Sequence, residues 1–323
     1  MVKIGYTMMT EQAGPRELVD HVVGAEQAGF DFSVTSDHYF PWLRSQGHAP
    51  YAWSVLGAAA QATERIPLMT YVTCPGFRYH PAVVAQKAAT MQLLSGGRFR
   101  LGLGSGENLN EHITGGGWPS ADVRHEMLEE AVGIIRSLFD GGHVTHRGPH
   151  FRVDSARLWD LPSTPPPLGV AVSGEQSCAI AGRHADLVIA TEPRPDLLEF
   201  FDRHGGTGKP RVGQLPVCYD PDRDTAITRA HEEFRWFGGG WKVNAELPHP
   251  DSFAAATRFV TKDDVAASIP CGDDIESFVE AVRPFAAAGF TEIALVQVGG
   301  DSQPAFLEWS AEALLPALRE AFA

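Results

Sequence analysis

An acid, an imidazole and an indole follow one another closely at the end of an apolar run. Residues Phe30 to Val34 are typical of a buried strand, and Asp37, His38 and Trp42 come directly after it. Burying an unpaired acid or imidazole is costly, so such a cluster makes most sense where the strand end opens into a cleft. A histidine there could move protons in acid–base catalysis. The competing interpretation is structural: Asp37 caps a turn, His38 is solvated and Trp42 packs.

The elements that would hold these residues alternate between strand and helix. The predicted strands cover residues 2–8, 30–35, 68–73, 98–105, 168–172, 187–190, 212–219 and 292–298. Near-continuous apolar strands separated by helices indicate a parallel sheet that is covered on both faces. We therefore predict an α/β fold, a (β/α)8 TIM barrel, with residues 1–323 as one domain. The alternative, an open doubly wound sheet of two domains, would need a linker that the sequence does not show.

Two segments interrupt this alternation. Residues 141–167, after the fourth strand, alternate in polarity and end in a Pro-rich stretch, which predicts an inserted hairpin and loop. Residues 238–262, after the seventh strand, open with three glycines and predict a long irregular insertion. His143, His146 and His150 have near-metal spacing, but they lack a carboxylate or thiolate framework, which favours solvated side chains over a metal site.

In such a barrel the residues that follow the strands meet at one rim, where active sites lie. The residues of chemical interest that the sequence places at this rim are Glu11, Asp37, His38, Trp42, Thr73, Cys74, Glu107, Asn110, Ser173, Gly174, Thr191 and Arg194. Their convergence favours a functional site over the structural interpretation. Arg258 and Lys262, near the late insertion, could reach an anionic group over the rim or could form a solvated pair.

Composition excludes several classes of function. The 26 basic and 40 acidic residues give a net charge of 26 − 40 = −14, without a basic stripe, which argues against nucleic acid as a partner. Four widely spaced cysteines suit a reducing compartment. No leader pattern or apolar run long enough to span a bilayer is evident, so we expect a soluble cytoplasmic protein. Neither G-x-S-x-G nor H-E-x-x-H occurs, which argues against a serine hydrolase and a zincin.

Three longer motifs carry a more specific signal. They are Ser36-Asp37-His38-x-x-Pro41-Trp42, Phe77-Arg78-Tyr79-x-Pro81-Ala82-Val83-x-Ala85-Gln86 and Gly102-x-Gly104-x-Gly106-Glu107-x-Leu109-Asn110-Glu111. Together they resemble the bacterial luciferase-like superfamily. More narrowly, they resemble its deazaflavin-dependent branch, the glucose-6-phosphate dehydrogenases that use coenzyme F420. The resemblance extends over nearly the whole chain.

The resemblance implies a barrel with a long insertion after strand seven, subunits that pair as homodimers, and F420 lying on a bulge at Thr73-Cys74, often with a non-proline cis peptide. The positions that match catalytic residues are Glu11, His38, Trp42 and Glu107, and those that match cofactor-binding residues are Asp37, Thr73, Cys74, Asn110, Ser173 and Gly174. By this analogy His38 takes the hydroxyl proton while hydride passes to the deazaflavin C5. Glu107 lies near the N1 edge, Trp42 walls the substrate pocket, and Glu11 is a second proton-handling candidate.

The expected substrate is a small alcohol, sugar, sugar phosphate or carbonyl compound. The sugar-phosphate enzymes place basic residues where this chain has Arg194, Ala255 and Ser268, so only Arg194 keeps the charge. Thr191 matches a phosphate-contacting threonine of that family, and Arg258 or Lys262 could substitute for the missing basic residues. The predicted substrate-binding set is therefore Thr191, Arg194, Arg258 and Lys262. With fewer charge-assisted partners a phosphate dianion would bind more weakly. Two alternatives stay open: an FMN-dependent luciferase-like monooxygenase or reductase, and a barrel that binds a ligand without catalysis.

Overall fold

Eight parallel strands close into a barrel in the computed structural model, which describes residues 2–323. The strands of the chain are β1 Lys3–Met8, β2 Phe32–Thr35, β3 Leu68–Thr70, β4 Phe99–Leu103, β5 Val144–Arg147, β6 Arg152–Ala156, β7 Leu168–Ala171, β8 Leu187–Ala190, β9 Arg211–Tyr219, β10 Cys271–Gly272 and β11 Glu292–Gln297. The barrel order is β11, β1, β2, β3, β4, β7, β8 and β9, and β9 pairs again with β11. The predicted (β/α)8 barrel is therefore confirmed, while Met1 lies outside the described residues.

Helices surround the barrel, and their ends carry the expected signals. The longer ones are Pro15–Ala28, Ala52–Ala62, Pro81–Leu94, Ala121–Phe139, Glu175–His184, Arg223–Phe234 and Ile275–Ala288. Pro15 and Pro81 begin their helices, where a missing N–H costs nothing. Gly29 and Gly289 end theirs in the left-handed region. None of the helices within residues 2–323 is long and apolar enough to cross a membrane.

Glycines in the strands leave room for the side chains of the barrel interior. A Cβ on Gly5 would lie 2.4 Å from the ring of Phe32, which is buried in a cluster with Met69 and Ile189. A Cβ on Gly102 would lie 2.0 Å from the carbonyl oxygen of Thr70. These glycines therefore let large apolar side chains such as Phe32 fill the body of the barrel.

The structure differs from the sequence-based prediction in two connecting segments. The hairpin between β4 and β7 is confirmed as the antiparallel pair β5 and β6. The prediction of an irregular 238–262 insertion is wrong, because short helices cover Trp241–Asn244, Pro250–Ala256 and Lys262–Ser268. The last of these begins with a capping box between Thr261 and Asp264. These helices pack over one side of the barrel mouth.

The third strand is shorter than predicted. It ends at Thr70, and the following Tyr71–Val72 peptide bond is cis. Thr73 then rejoins the edge of β4 through a single bridge to Leu103. Tyr71 and Val72, between these points, lie at the mouth of the barrel, next to the end of β2.

Candidate active site at the barrel mouth

A cavity of about 750 Å³ opens at the carboxyl ends of the barrel strands. The predicted site residues that line it are Glu11, Asp37, His38, Trp42, Cys74, Glu107, Asn110, Ser173 and Thr191. Its size is that of pockets that hold a cofactor or a drug-sized ligand. The structure therefore brings together residues that follow six different strands.

His38 lies between two carboxylates in this cavity. Its Nδ1 contacts Oε1 of Glu11, and its Nε2 is 3.6 Å from Oε2 of Glu107. The side chain of Glu11 is completely buried, and that of His38 is 9% exposed. The ring also meets Trp42 edge to face, with centroids 5.0 Å apart. One imidazole nitrogen is thus held by Glu11, and the other faces Glu107.

The protonation states of the three groups are interdependent. Burial disfavours the imidazolium, but Glu11 and Glu107 outweigh burial and raise the pKa of His38 to about 9. Burial alone would raise the pKa of Glu11, yet the charge of His38 and hydrogen bonds from His38 and Ser36 lower it overall. Burial raises the pKa of Glu107 to about 7, against the opposing charge of His38. Near neutral pH the His38 side chain is therefore a charged imidazolium, Glu11 is ionised and Glu107 is partly protonated.

Neighbouring polar groups fix both carboxylates. The hydroxyl of Ser36 donates to Oε2 of Glu11 at 2.7 Å, which links the ends of β1 and β2. Asn110 lies in a short helix, Asn108–Glu111, and its Nδ2 donates to Oε2 of Glu107 at 3.2 Å. The Oδ1 of Asn110 accepts from the backbone N–H of Tyr39 at 2.8 Å. Asn110 therefore couples Glu107 to the loop that carries His38.

Asp37 is engaged inside the protein. Its carboxylate accepts hydrogen bonds from Trp53 Nε1 at 3.0 Å, Thr73 Oγ1 at 2.7 Å and the Tyr79 hydroxyl at 3.1 Å. These contacts tie the loop after β2 to the segment after β3. Thr73 is fully buried and does not line the cavity, so its structural contact is with Asp37. Cofactor contacts of Asp37 and Thr73 stay predictions.

Arg78 neutralises this buried charge, a role that the sequence analysis did not assign. Its Nε donates to Oε1 of Glu111 at 3.1 Å, and its NH1 lies 3.4 Å from Oδ1 of Asp37. Its NH2 also donates to the carbonyl oxygen of Asp37, the residue that precedes His38. The side chain is only 7% exposed. Its place within the Phe77-Arg78-Tyr79 motif was the only sequence signal.

An aromatic wall continues from His38 along one side of the cavity. Trp42 stacks on Trp236 with centroids 4.0 Å apart and meets Phe253 edge to face at 5.1 Å. Phe234 packs on Trp236 at 4.7 Å. Sequence reasoning missed both Trp236 and Phe253. Phe253 falls in the segment 238–262 that was predicted to be irregular, and no periodicity placed Trp236 at the mouth.

The predicted substrate-binding cations lie elsewhere. Arg194 is half-exposed and forms a two-pronged ion pair with Asp196. Lys262 donates to the hydroxyl of Thr228 at 2.7 Å, because the helix that it begins packs against Arg223–Phe234. Arg258 lies over the ring of the next residue. None of the three lines the cavity, so this geometry gives no support to their predicted role.

The cavity also offers space for a cofactor. Val72 and Cys74 line it, and burial together with the charge of Glu111 raises the pKa of the Cys74 thiol, which is therefore neutral. Ser173 and the start of the helix Glu175–His184 follow, and a Cβ on Gly174 would meet no atom within 4 Å. Within residues 2–323 no group of three or more histidine, cysteine or acidic side chains is arranged to hold a metal ion.

Together, a TIM barrel and a buried carboxylate–histidine–carboxylate set beside an open cavity define an enzyme that moves protons at the carboxyl end of its strands. The chain belongs to the luciferase-like family: the profile described as Luciferase-like monooxygenase matches residues 2–292. The resemblance found in the motifs is thereby confirmed.

Similar proteins cover the whole chain. The relatives named F420-dependent glucose-6-phosphate dehydrogenase include one from Intrasporangium calvum, 36% identical, and one from Beutenbergia cavernae, 37% identical. The alignments cover 99% of this chain in both cases, and 99% and 98% of the relatives. A solved F420-dependent secondary alcohol dehydrogenase, in complex with an F420-acetone adduct, superposes with a TM-score of 0.89 at 28% identity, over 98% of this chain and 99% of that one.

Proposed function

We propose that this chain is an F420-dependent oxidoreductase that acts on CH–OH groups and moves a hydride between the deazaflavin and a carbinol or carbonyl carbon. The observation that carries the proposal is the Glu11–His38–Glu107 set, which can take up the proton that accompanies the hydride. The F420-dependent relatives and the F420-bound structural neighbour support the choice of cofactor.

The cavity also contains residues that fit this cofactor. Bound F420 supplies a hydride acceptor or donor at C5. Val72 and Cys74 would form the floor under the ring, and Ser173 with Gly174 would meet the acidic tail near the helix N-terminus, where backbone N–H groups favour anions. The side-chain amide of Asn110 already holds Glu107, so a contact between Asn110 and the deazaflavin would use that same amide group.

Proton transfer falls to His38. Glu11 holds Nδ1, so Nε2 is the nitrogen that can exchange a proton with the substrate hydroxyl. In alcohol oxidation neutral His38 accepts that proton, and in carbonyl reduction protonated His38 donates it. Glu107, with a pKa of about 7, can carry a second proton at the same end of the cavity. Because His38 is mostly an imidazolium near neutral pH, the rate of alcohol oxidation should rise and the rate of carbonyl reduction should fall as the pH rises towards 9.

The first experiment is a titration of the apo protein with F420 and with FMN, followed by fluorescence. Selective F420 binding supports the proposal, and loss of deazaflavin absorbance with added alcohols or sugars then reports turnover. Preferential FMN binding would move the protein to the alternative monooxygenase or reductase function. Binding of neither would refute both.

A variant separates catalysis from cofactor binding. His38→Asn should retain F420 affinity and lose at least about 100-fold in turnover, because the proton acceptor is gone. His143→Asn, on the exposed hairpin, is the matched control and should behave like the unmodified protein. An unimpaired His38→Asn variant would remove His38 from the proposed role.

Three further properties belong to the proposal. The family resemblance supports a homodimer, for which light scattering should give about twice the chain mass of 35.0 kDa. The acidic composition supports the absence of nucleic-acid binding, and the spacing of the cysteines supports a cytoplasmic location. Cell fractionation and a DNA-binding assay test these two expectations.

A further inference from the structure

We infer that the substrate is an uncharged alcohol or ketone with apolar substituents, and that this chain does not use a sugar phosphate. The inference rests on the proposed function and narrows its substrate. It follows from the charge and the surface of the cavity next to His38.

Apart from His38 itself, the cavity lining has no cationic side chain to receive a phosphate. Within residues 2–323 its lining contains neither lysine nor arginine, whereas five carboxylates line it. They are Glu11, Asp37, Glu107, Glu111 and Glu192. A phosphate dianion would lose hydration here without gaining charge-assisted hydrogen bonds from lysine or arginine.

Two arginines close to the mouth are already paired with carboxylates. Arg78 is held by Asp37 and Glu111 and is buried behind the cavity wall. Arg194 is paired with Asp196 in the solvent. To face the cavity, Arg194 would have to leave Asp196, with which it forms two hydrogen bonds at 3.1 and 2.5 Å, although this exposed pair contributes little to stability. Neither residue is poised to bind an anion.

The surface beside the proton-transfer group is aromatic. A hydroxyl that reaches Nε2 of His38 lies next to Trp42, whose ring contacts that of His38. Trp236 extends the wall from Trp42, and Phe237 and Trp241 also line this cavity. The substituents of the reacting carbon therefore meet apolar rings, which favour hydrocarbon or aromatic groups over a polyhydroxylated sugar.

The inference separates this chain from relatives with which it shares about a third of its residues. The two bacterial relatives are named for glucose 6-phosphate, and they match this chain over its full length. This chain is therefore similar to those relatives over its full length, but its cavity lining is unsuited to a phosphate dianion.

The test uses the F420-loaded protein. We expect kcat/KM for cyclohexanol and 1-phenylethanol to exceed that for glucose 6-phosphate by at least about 100-fold, the equivalent of two missing charge-assisted hydrogen bonds. Calorimetry should show cyclohexanone binding and no glucose 6-phosphate binding. If F420 binds but glucose 6-phosphate is preferred, this inference is overturned and the proposed function stands. If F420 does not bind, the proposed function itself fails.

Two variants test the physical cause. Ser268→Lys places a cation on the cavity lining and should improve glucose 6-phosphate binding about tenfold or more, whereas Ser54→Lys, on an exposed helix face, should not. Trp236→Ala should raise KM for the apolar alcohols more than it lowers kcat, and Trp236→Phe should restore much of the affinity. Unchanged phosphate binding in Ser268→Lys would overturn the electrostatic explanation, and unchanged KM in a folded Trp236→Ala variant would overturn the role of the aromatic wall.

Discussion

Glu11→Gln isolates the electrostatic control of His38, the proposed proton-transfer group. In the unmodified protein Glu11 is buried, ionised and in contact with Nδ1 of His38, while Ser36 donates to its other oxygen. Glutamine keeps the shape of the side chain but removes its charge. The substitution therefore changes the protonation of His38 without opening a cavity.

The expected magnitude follows from the pKa of His38. The pKa lies at about 9 instead of 6.5, which corresponds to 9 − 6.5 = 2.5 pH units, or about 3.4 kcal/mol in favour of the imidazolium. This gain persists although burial opposes it, so the contribution of the carboxylates is larger still. Without Glu11 only Glu107, at 3.6 Å, opposes burial. We expect the pKa of His38 to fall to 6.5 or below.

The assay is the pH dependence of alcohol oxidation by the F420-loaded protein. The rate of the unmodified enzyme should rise to a half-maximum near pH 9, because oxidation needs neutral His38, and the half-maximum should move down by about 2 pH units or more in Glu11→Gln. The plateau should also fall, because the amide can hold the wrong tautomer of the imidazole. Titration of the His38 resonance by NMR gives the same pKa without turnover.

The control carries the same loss of charge at a distance. Glu280→Gln removes a surface carboxylate that pairs with Arg283, and its pH profile should match that of the unmodified enzyme. A half-maximum that stays near pH 9 in Glu11→Gln would refute the assignment of Glu11 as the group that raises the pKa of His38.

Three further substitutions test how the site is supported. Arg78→Met should lower the melting temperature by roughly 10 °C, because it strands two buried carboxylates, whereas the exposed Arg283→Met should leave it nearly unchanged. Gly102→Ala should abolish soluble expression, because its Cβ would lie 2.0 Å from a backbone oxygen; Gly57→Ala, in an open helix position, should stabilise the protein by about 0.5–1 kcal/mol in denaturant unfolding. Asn110→Ala should reduce kcat more than it reduces the melting temperature, since it frees both Glu107 and the loop after β2.

Local patterns were sufficient to predict the barrel and much of the mouth. The strand 187–190 begins and ends where the sequence predicts, and the predicted strands 212–219 and 292–298 each differ from the structure by one residue at one end. Apolar periodicity, proline at helix starts and glycine at helix ends are local signals, and the barrel rule converts strand ends into a shared rim. The meeting of Glu11, His38 and Glu107 follows from that rule.

Other features depend on contacts between segments distant in the chain. The pairing of Arg78 with Asp37 and Glu111 spans 41 and 33 residues, and no periodicity encodes it. The helices of the late insertion are four to seven residues long, too short for a clear 3.6-residue period. Lys262 was expected at the rim from its position after the insertion, but packing directs it to Thr228.

The two faces of the cavity come from separable parts of the chain. Glu11, His38 and Glu107 belong to loops of the barrel, whereas Trp236 belongs to residues 235–268. This segment meets the loops through the stack on Trp42 and through hydrogen bonds from Asn108 to the backbone oxygens of Ala245 and Glu246. Exchange of residues 235–268 would therefore change the aromatic wall and leave Glu11, His38 and Glu107 in place. Exchanging residues 235–268 between relatives, while Trp42 is kept to stack on residue 236, is a direct route to chimeric enzymes with new selectivity.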